Sequence, residues 1–115
     1  MTAPGALPLE RLVELLARRL VLPLLGQLRG AAQPFGVLVA AVAATPPQVS
    51  QRLRELREAG FIEVDEAGDY RLSGDGRRLQ GALEPLTAVA AAVASRTPRQ
   101  RAPRGAATRG RGEPE

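Results

Sequence analysis

No cysteine, histidine, lysine or tryptophan occurs among the 115 residues, and only Phe35, Phe61 and Tyr70 are aromatic. Each absence removes a class of chemistry. Without cysteine there is no disulfide scaffold, no thiol nucleophile and no thiol redox switch. Without histidine there is no imidazole base, and the two side chains that most often hold zinc are both missing. Without lysine there is no Schiff base and no phosphate-gripping lysine of the Walker kind. The carboxylates that remain fall mostly singly along helical stretches and in one acidic turn. Enzymatic activity, a catalytic residue, a bound metal and an organic cofactor are therefore not expected.

Long apolar runs are missing too. The longest, "VLVAAVAA" at 37–44, falls far short of the roughly 18 residues that cross a bilayer. The opening "MTAPGALPLE" has no basic region ahead of an apolar segment and meets Glu10 first. No membrane association is expected, and a cytoplasmic location is.

Apolar residues make up 44% of the chain. With so few aromatics the core must be built from leucine, valine and alanine, which favours packed helices over a broad sheet. The sequence pI near 11.2 suggests a basic protein, but the charge is unevenly placed. Residues 1–95 hold ten arginines and ten acids, whereas 96–115 hold six arginines against Glu113 and Glu115. The excess of positive charge lies wholly in the last segment. Nucleic-acid binding by the rest must be argued from local placement of charge.

Hydrophobic periodicity divides the chain. In "PLERLVELLARRL" (8–20), Leu9, Leu12, Val13, Leu16 and Leu20 recur at helical spacing, with Pro8 suited to a first turn. "VLPLLGQLRG" (21–30) stays apolar, and Pro23 there either kinks one long helix or begins a second, closely packed one, the second being the favoured expectation. "PFGVLVAAVAA" (34–44) predicts a short helix opening near Pro34. Next comes Thr45-Pro46-Pro47-Gln48: an N-cap threonine, two prolines where missing N–H groups cost nothing, and the glutamine that completes a capping box. Val49, Leu53 and Leu56 form a buried stripe, and Gly60 follows where a left-handed residue is wanted. "FIEV" and "YRLS" alternate around the acidic turn "DEAGD" (65–69), predicting a two-strand hairpin with Ile62, Val64, Tyr70 and Leu72 inward. Ser73 is placed to cap a last helix carrying Leu79, Leu83, Leu86, Ala90 and Val93. The expected fold class is mainly α with a small β-hairpin. Residues 1–7 are expected to be a flexible start, 8–95 the folded domain and 96–115 a disordered arginine-rich tail, too apolar-poor to offset its ordering entropy.

Compact helices, a firmly capped helix and then a hairpin are the layout of a winged helix-turn-helix, in which a recognition helix meets base edges with its N-terminal end. The stretch "PFGVLVAAVAATPPQVSQRLRELREAGFIEV" with "YRLSGDGRRLQGALEPL" resembles winged-helix regulators of the HxlR type. The matching residues are Val49, Leu53, Arg54, Leu56, Gly60, Tyr70, Leu72, Ser73, Gly76 and Pro85. The likeness covers residues 20–94, and MarR-like and ArsR-like regulators share most of it. It implies a cytoplasmic, dimeric bacterial transcription regulator that binds double-stranded DNA.

On that reading the recognition helix occupies about 46–59, and its site residues are Thr45, Gln48, Ser50, Gln51, Arg52, Arg54 and Arg57. Glutamine pairs bidentately with adenine, arginine with guanine or phosphate, and Thr45 lies where a helix N-terminus can approach phosphate. The hairpin turn, with Glu63, Asp65, Glu66 and Asp69, should be repelled by phosphate. The helix at 35–44 is apolar all round and is expected to be covered on all sides, by the N-terminal helix or by a partner. "LTAVAAAVA" (86–94) and the N-terminal helix are expected to form a homodimer interface, which puts recognition helices about 34 Å apart. A pocket between those terminal helices would suit a small-molecule effector whose identity the sequence does not give. The competing expectation is a winged-helix protein-interaction module with weak or no specific DNA binding.

Overall fold

The structure is a computed structural model and describes residues 7–96; the segment expected to be a disordered tail lies, except for Arg96, outside the described residues, as does most of the expected flexible start. The described residues form five helices and one antiparallel hairpin, in the order α1 (Leu9–Ala17), α2 (Val21–Gln27), α3 (Phe35–Val42), α4 (Pro46–Glu58), β1 (Ile62–Val64), β2 (Tyr70–Leu72) and α5 (Gly74–Arg96). The expected class, mainly α with a small hairpin, is the one observed. The chain divides into two compact units between Gly81 and Ala82.

The first unit has an aliphatic core. Val21, Leu24, Leu25 and Leu28 from α2 and its end, Leu38 from α3, Val49, Leu53 and Leu56 from α4, and Ile62 and Leu72 from the hairpin are all buried. Each such side chain contributes about 2 kcal/mol by leaving water. No polar or charged residue is buried among the described residues, so this core carries no ionic desolvation cost.

Two apolar helices are only partly covered within the chain. In α1 it is Leu15 that is buried, with Leu12 and Leu16 half-buried, while Leu9 and Val13 stand 70% and 54% exposed. The predicted stripe is thus turned so that its outer edge faces solvent. α1 stops at Ala17 because Arg18 turns extended (φ −67, ψ 144), and Leu20, left-handed at φ +79, is the residue from which the next helix starts. A second helix follows, and Pro23 sits at its third position, where the absent N–H would have had no partner. The other partly covered helix is α3, which buries only Leu38 and leaves Gly36, Val37, Ala40 and Ala41 exposed, so within the chain that side has no cover. Its neighbours α2 and α4 cover one side of it, not all.

The hairpin pairs Ile62 with Leu72 and Val64 with Tyr70 on one face, as alternation requires. Ile62 and Leu72 are buried, whereas next to the turn Val64 is exposed and Tyr70 half-buried, so the face expected to point inward is covered only at the end away from the turn. Asp65 builds the turn: its Oδ1 accepts from the N–H of Ala67 and of Asp69, both at 2.9 Å, and Gly68 supplies φ +86. A further pairing was not foreseen. Gln33 and Tyr70 exchange two backbone hydrogen bonds, at 2.8 and 2.9 Å, so the residue two before α3 adds a third edge to the sheet.

Ser73 joins hairpin to helix, accepting the Gly76 N–H at 3.0 Å and donating its hydroxyl to the Gly60 carbonyl at 2.6 Å. α5 runs unbroken through Pro85, and Leu86, Val89 and Val93 on it are exposed. No helix among the described residues is long and apolar enough to cross a membrane.

Candidate nucleic-acid interface

α4 is fixed at both ends by its own sequence. At the start, Thr45 Oγ1 accepts the Gln48 N–H at 3.4 Å while Gln48 Oε1 accepts the Thr45 N–H at 3.0 Å, the reciprocal pair of a capping box. At the end, Gly60 takes φ +87. Its N–H bonds the Arg57 carbonyl and the Phe61 N–H bonds the Leu56 carbonyl, both at 3.0 Å. That pair of bonds is the Schellman arrangement. The turn from α3 is three residues, Ala43 to Thr45, with Ala43 itself left-handed at φ +53. With Val49, Leu53 and Leu56 buried, the polar side chains of α4 are displayed on the opposite face.

The seven residues singled out from the sequence fall into three groups. Thr45 and Gln48 are exposed but engaged with each other in the cap. The consequence is chemical. Pro46 and Pro47 carry no N–H, and the Gln48 N–H is given to Thr45, so these first-turn positions leave no free backbone donor for an anion. Gln48 keeps its amide N–H groups, but its oxygen already accepts from the Thr45 backbone.

Gln51 and Arg52 form the second group, joined through Glu55. Gln51 Nε2 donates to Glu55 Oε2 at 3.0 Å, and Arg52 Nη1 to Glu55 Oε1 at 2.6 Å. Arg18, from the loop after α1, approaches the same carboxylate at 3.8 Å. The Gln51 hydrogen bond and the nearby Arg52 and Arg18 charges hold the Glu55 carboxyl below its ordinary value, against a smaller opposing push from burial. Arg52 is consequently the least free of the predicted arginines, with its side chain 25% exposed.

Ser50, Arg54 and Arg57 form the third group, at i, i+4 and i+7. Together with Glu58 and Tyr70 they line an open groove of about 440 Å³ along α4 beside the hairpin. Arg54 Nη1 also donates to Gln51 Oε1 at 3.2 Å, which links this group to the second. Arginine and hydroxyl donors in one groove suit an anionic oxygen ligand, and Glu58 opposes it there.

Sequence reasoning missed Glu55, Arg18, Tyr70 and Glu58. The first had a signal: Gln51 and Arg52 precede Glu55 by four and three residues, the spacings at which helical side chains meet. Glu58 had the same kind of signal, four residues after Arg54 on α4 itself, whereas Arg18 and Tyr70 are brought in by tertiary packing. At the hairpin, Arg71 pairs with Glu63 at 2.8 Å, so β2 places a cation beside the acidic turn but already neutralises it.

Compared with known protein families and with curated proteins, the chain shows no match in either.

Proposed function

We propose that this chain is a sequence-specific DNA-binding transcription regulator of the winged helix-turn-helix type, with α4 as its recognition helix. The observation that carries the reading is a helix locked by a capping box at one end and a Schellman turn at the other. That helix displays Ser50, Gln51, Arg54 and Arg57 away from its buried stripe. A helix inserted in the major groove must be rigidly aimed, and these side chains are the types that read base edges and grip phosphate. The tight α3–α4 turn and the hairpin after α4 fit the same arrangement. The hairpin tip is short and acidic, so phosphate contact falls to Arg54 and Arg57 in the groove beside Tyr70 rather than to a wing. A homodimer through the apolar faces of α1 and α5 completes the reading, supported by exposed Leu9, Val13, Leu86, Val89 and Val93.

One observation favours a second reading, a winged-helix module that binds protein. The outer face of α3, with Val37 46% exposed beside Ala40 and Ala41, is apolar where a DNA-facing helix would carry polar groups.

The two are separated by replacing Arg54 and Arg57 together with alanine and measuring duplex affinity across a salt series. Loss of two phosphate contacts should lower affinity by about tenfold or more and flatten the dependence of log K on log salt by about two. Unchanged affinity and slope would dismiss α4 as the DNA-facing element.

A further inference from the structure

We propose that Glu55 is a specificity-determining positioning residue, which together with Arg54 orients the Gln51 amide to read the major-groove edge of adenine. The inference rests on the DNA-binding reading and deepens it.

The geometry is a chain of three hydrogen bonds along one face of α4. Arg54 Nη1 donates to Gln51 Oε1 at 3.2 Å, Gln51 Nε2 donates to Glu55 Oε2 at 3.0 Å, and Arg52 Nη1 donates to Glu55 Oε1 at 2.6 Å. The chemistry of the two flanking groups decides which way the amide lies. A guanidinium only donates, so it must face the amide oxygen; a carboxylate only accepts, so it must face the amide nitrogen. A free glutamine side chain would sample both orientations, whereas this one has a single orientation that satisfies both neighbours.

An amide has two N–H donors and two lone pairs on its oxygen. One of each is used within the helix, which leaves one donor and one acceptor on an exposed side chain. Adenine presents the complement in the major groove, an N6 amino donor beside an N7 acceptor. Guanine presents two acceptors there and would leave the amide oxygen of Gln51 without a donor. Glu55 also holds Arg52 in an ion pair along the helix, the arginine and carboxylate side chains being 25% and 19% exposed. Arg52 is thereby withheld from sequence-blind contact with phosphate. Discrimination and restraint thus come from one carboxylate.

The isosteric change Glu55→Gln removes the rule that orients the amide, because the new side chain can both donate and accept. It also removes one negative charge from the DNA-facing helix. Full-length wild-type and E55Q proteins are each used to select duplexes from a randomised pool, and their melting curves are compared to confirm that both are folded. Every adenine in the wild-type motif is then replaced in turn by 7-deazaadenine, which lacks the N7 acceptor.

One adenine of the motif is expected to cost the wild-type protein about tenfold in affinity when so replaced. E55Q is expected to lose that penalty, to accept other bases at the position, and to bind scrambled duplex a few-fold more tightly. Arg54→Met, which removes the anchor on the oxygen side, should lose the same penalty and serves if E55Q is poorly folded. Retention of the full wild-type penalty by a folded E55Q and by R54M overturns the inference. So does a wild-type motif with no adenine sensitive to loss of N7, in which case DNA binding by α4 would stand without it. A wild-type protein that selects no motif overturns the DNA-binding reading and this inference together.

Discussion

Gly76→Ala is the substitution with the most decisive sign. Gly76 lies in the first turn of α5, buried, with its N–H on Ser73 Oγ. A Cβ there would meet the Phe61 carbonyl oxygen at 1.9 Å, with the Phe61 carbonyl carbon at 3.0 Å and Leu72 Cβ at 3.3 Å. Relief to 3.0 Å requires the two backbone segments to part by about 1.1 Å, the difference between those two distances. Neither side yields easily. Phe61 is the last residue of the Schellman turn, and its oxygen also accepts the Ser73 N–H at 3.0 Å. Parting them costs overpacking strain of about 1–3 kcal/mol and about 1 kcal/mol for a weakened hydrogen bond. Better helix propensity returns at most about 1 kcal/mol. The net is a destabilisation of about 2 kcal/mol, which lowers Tm by about 10 °C in a domain of this size. Gly81→Ala provides the control, since an added Cβ there meets nothing within 4 Å and the residue is also in α5. It should leave stability unchanged or raise it by up to about 1 kcal/mol. Thermal unfolding followed by circular dichroism compares the two. A G76A protein as stable as G81A would refute the close packing of the α5 N-terminus on Phe61.

Other expectations follow from the same contacts. Thr45→Ala removes half of the capping box and should cost about 1 kcal/mol in urea unfolding; a cost near zero would mean the cap does not set the start of α4. Glu55 has a folded pKa depressed below its ordinary 4.5, so its contribution is complete above that value and is lost as pH falls through the folded pKa. The stability gap between wild type and Glu55→Gln, measured by unfolding at several pH values, should therefore be level near neutrality and close below about pH 4.5. A gap that persists in acid would refute the charge-based origin. Truncation at Ala88 removes Val89 and Val93 and should yield a monomer or an insoluble chain by sedimentation, whereas a well-behaved dimer would refute an interface on the end of α5.

Local chemistry was the legible part. Thr-Pro-Pro-Gln specified the capping box, Gly60 the left-handed exit, and alternation the inward placement of Ile62 and Leu72, because each depends on residues within a few positions along the chain. Periodicity named the buried stripe of α4 and marked an apolar face on α1, but spacing shows that a face exists and not how much of it neighbours cover. α3 makes the same point: a helix apolar all round was expected to be covered by the N-terminal helix or by a partner, and within the chain its outer side is open. What depends on distant partners was not legible, namely the Gln33–Tyr70 pairing, the approach of Arg18 to Glu55, and the closeness of Gly76 to Phe61. At the candidate interface, residue types suggested seven contributors without showing which of them were already engaged. The fold makes them unequal, with two spent on the cap, two tied to Glu55 and three lining a groove.

The most direct test of DNA recognition by α4 is binding of the full chain to the DNA upstream of its own coding sequence and to a scrambled duplex, over a range of salt. Tighter binding to the upstream duplex, by tenfold or more and persisting as salt rises, is the expected result, because base readout survives screening better than phosphate attraction does. Equal affinity for both duplexes, vanishing together with added salt, would contradict it and point to the exposed face of α3 as the surface that matters.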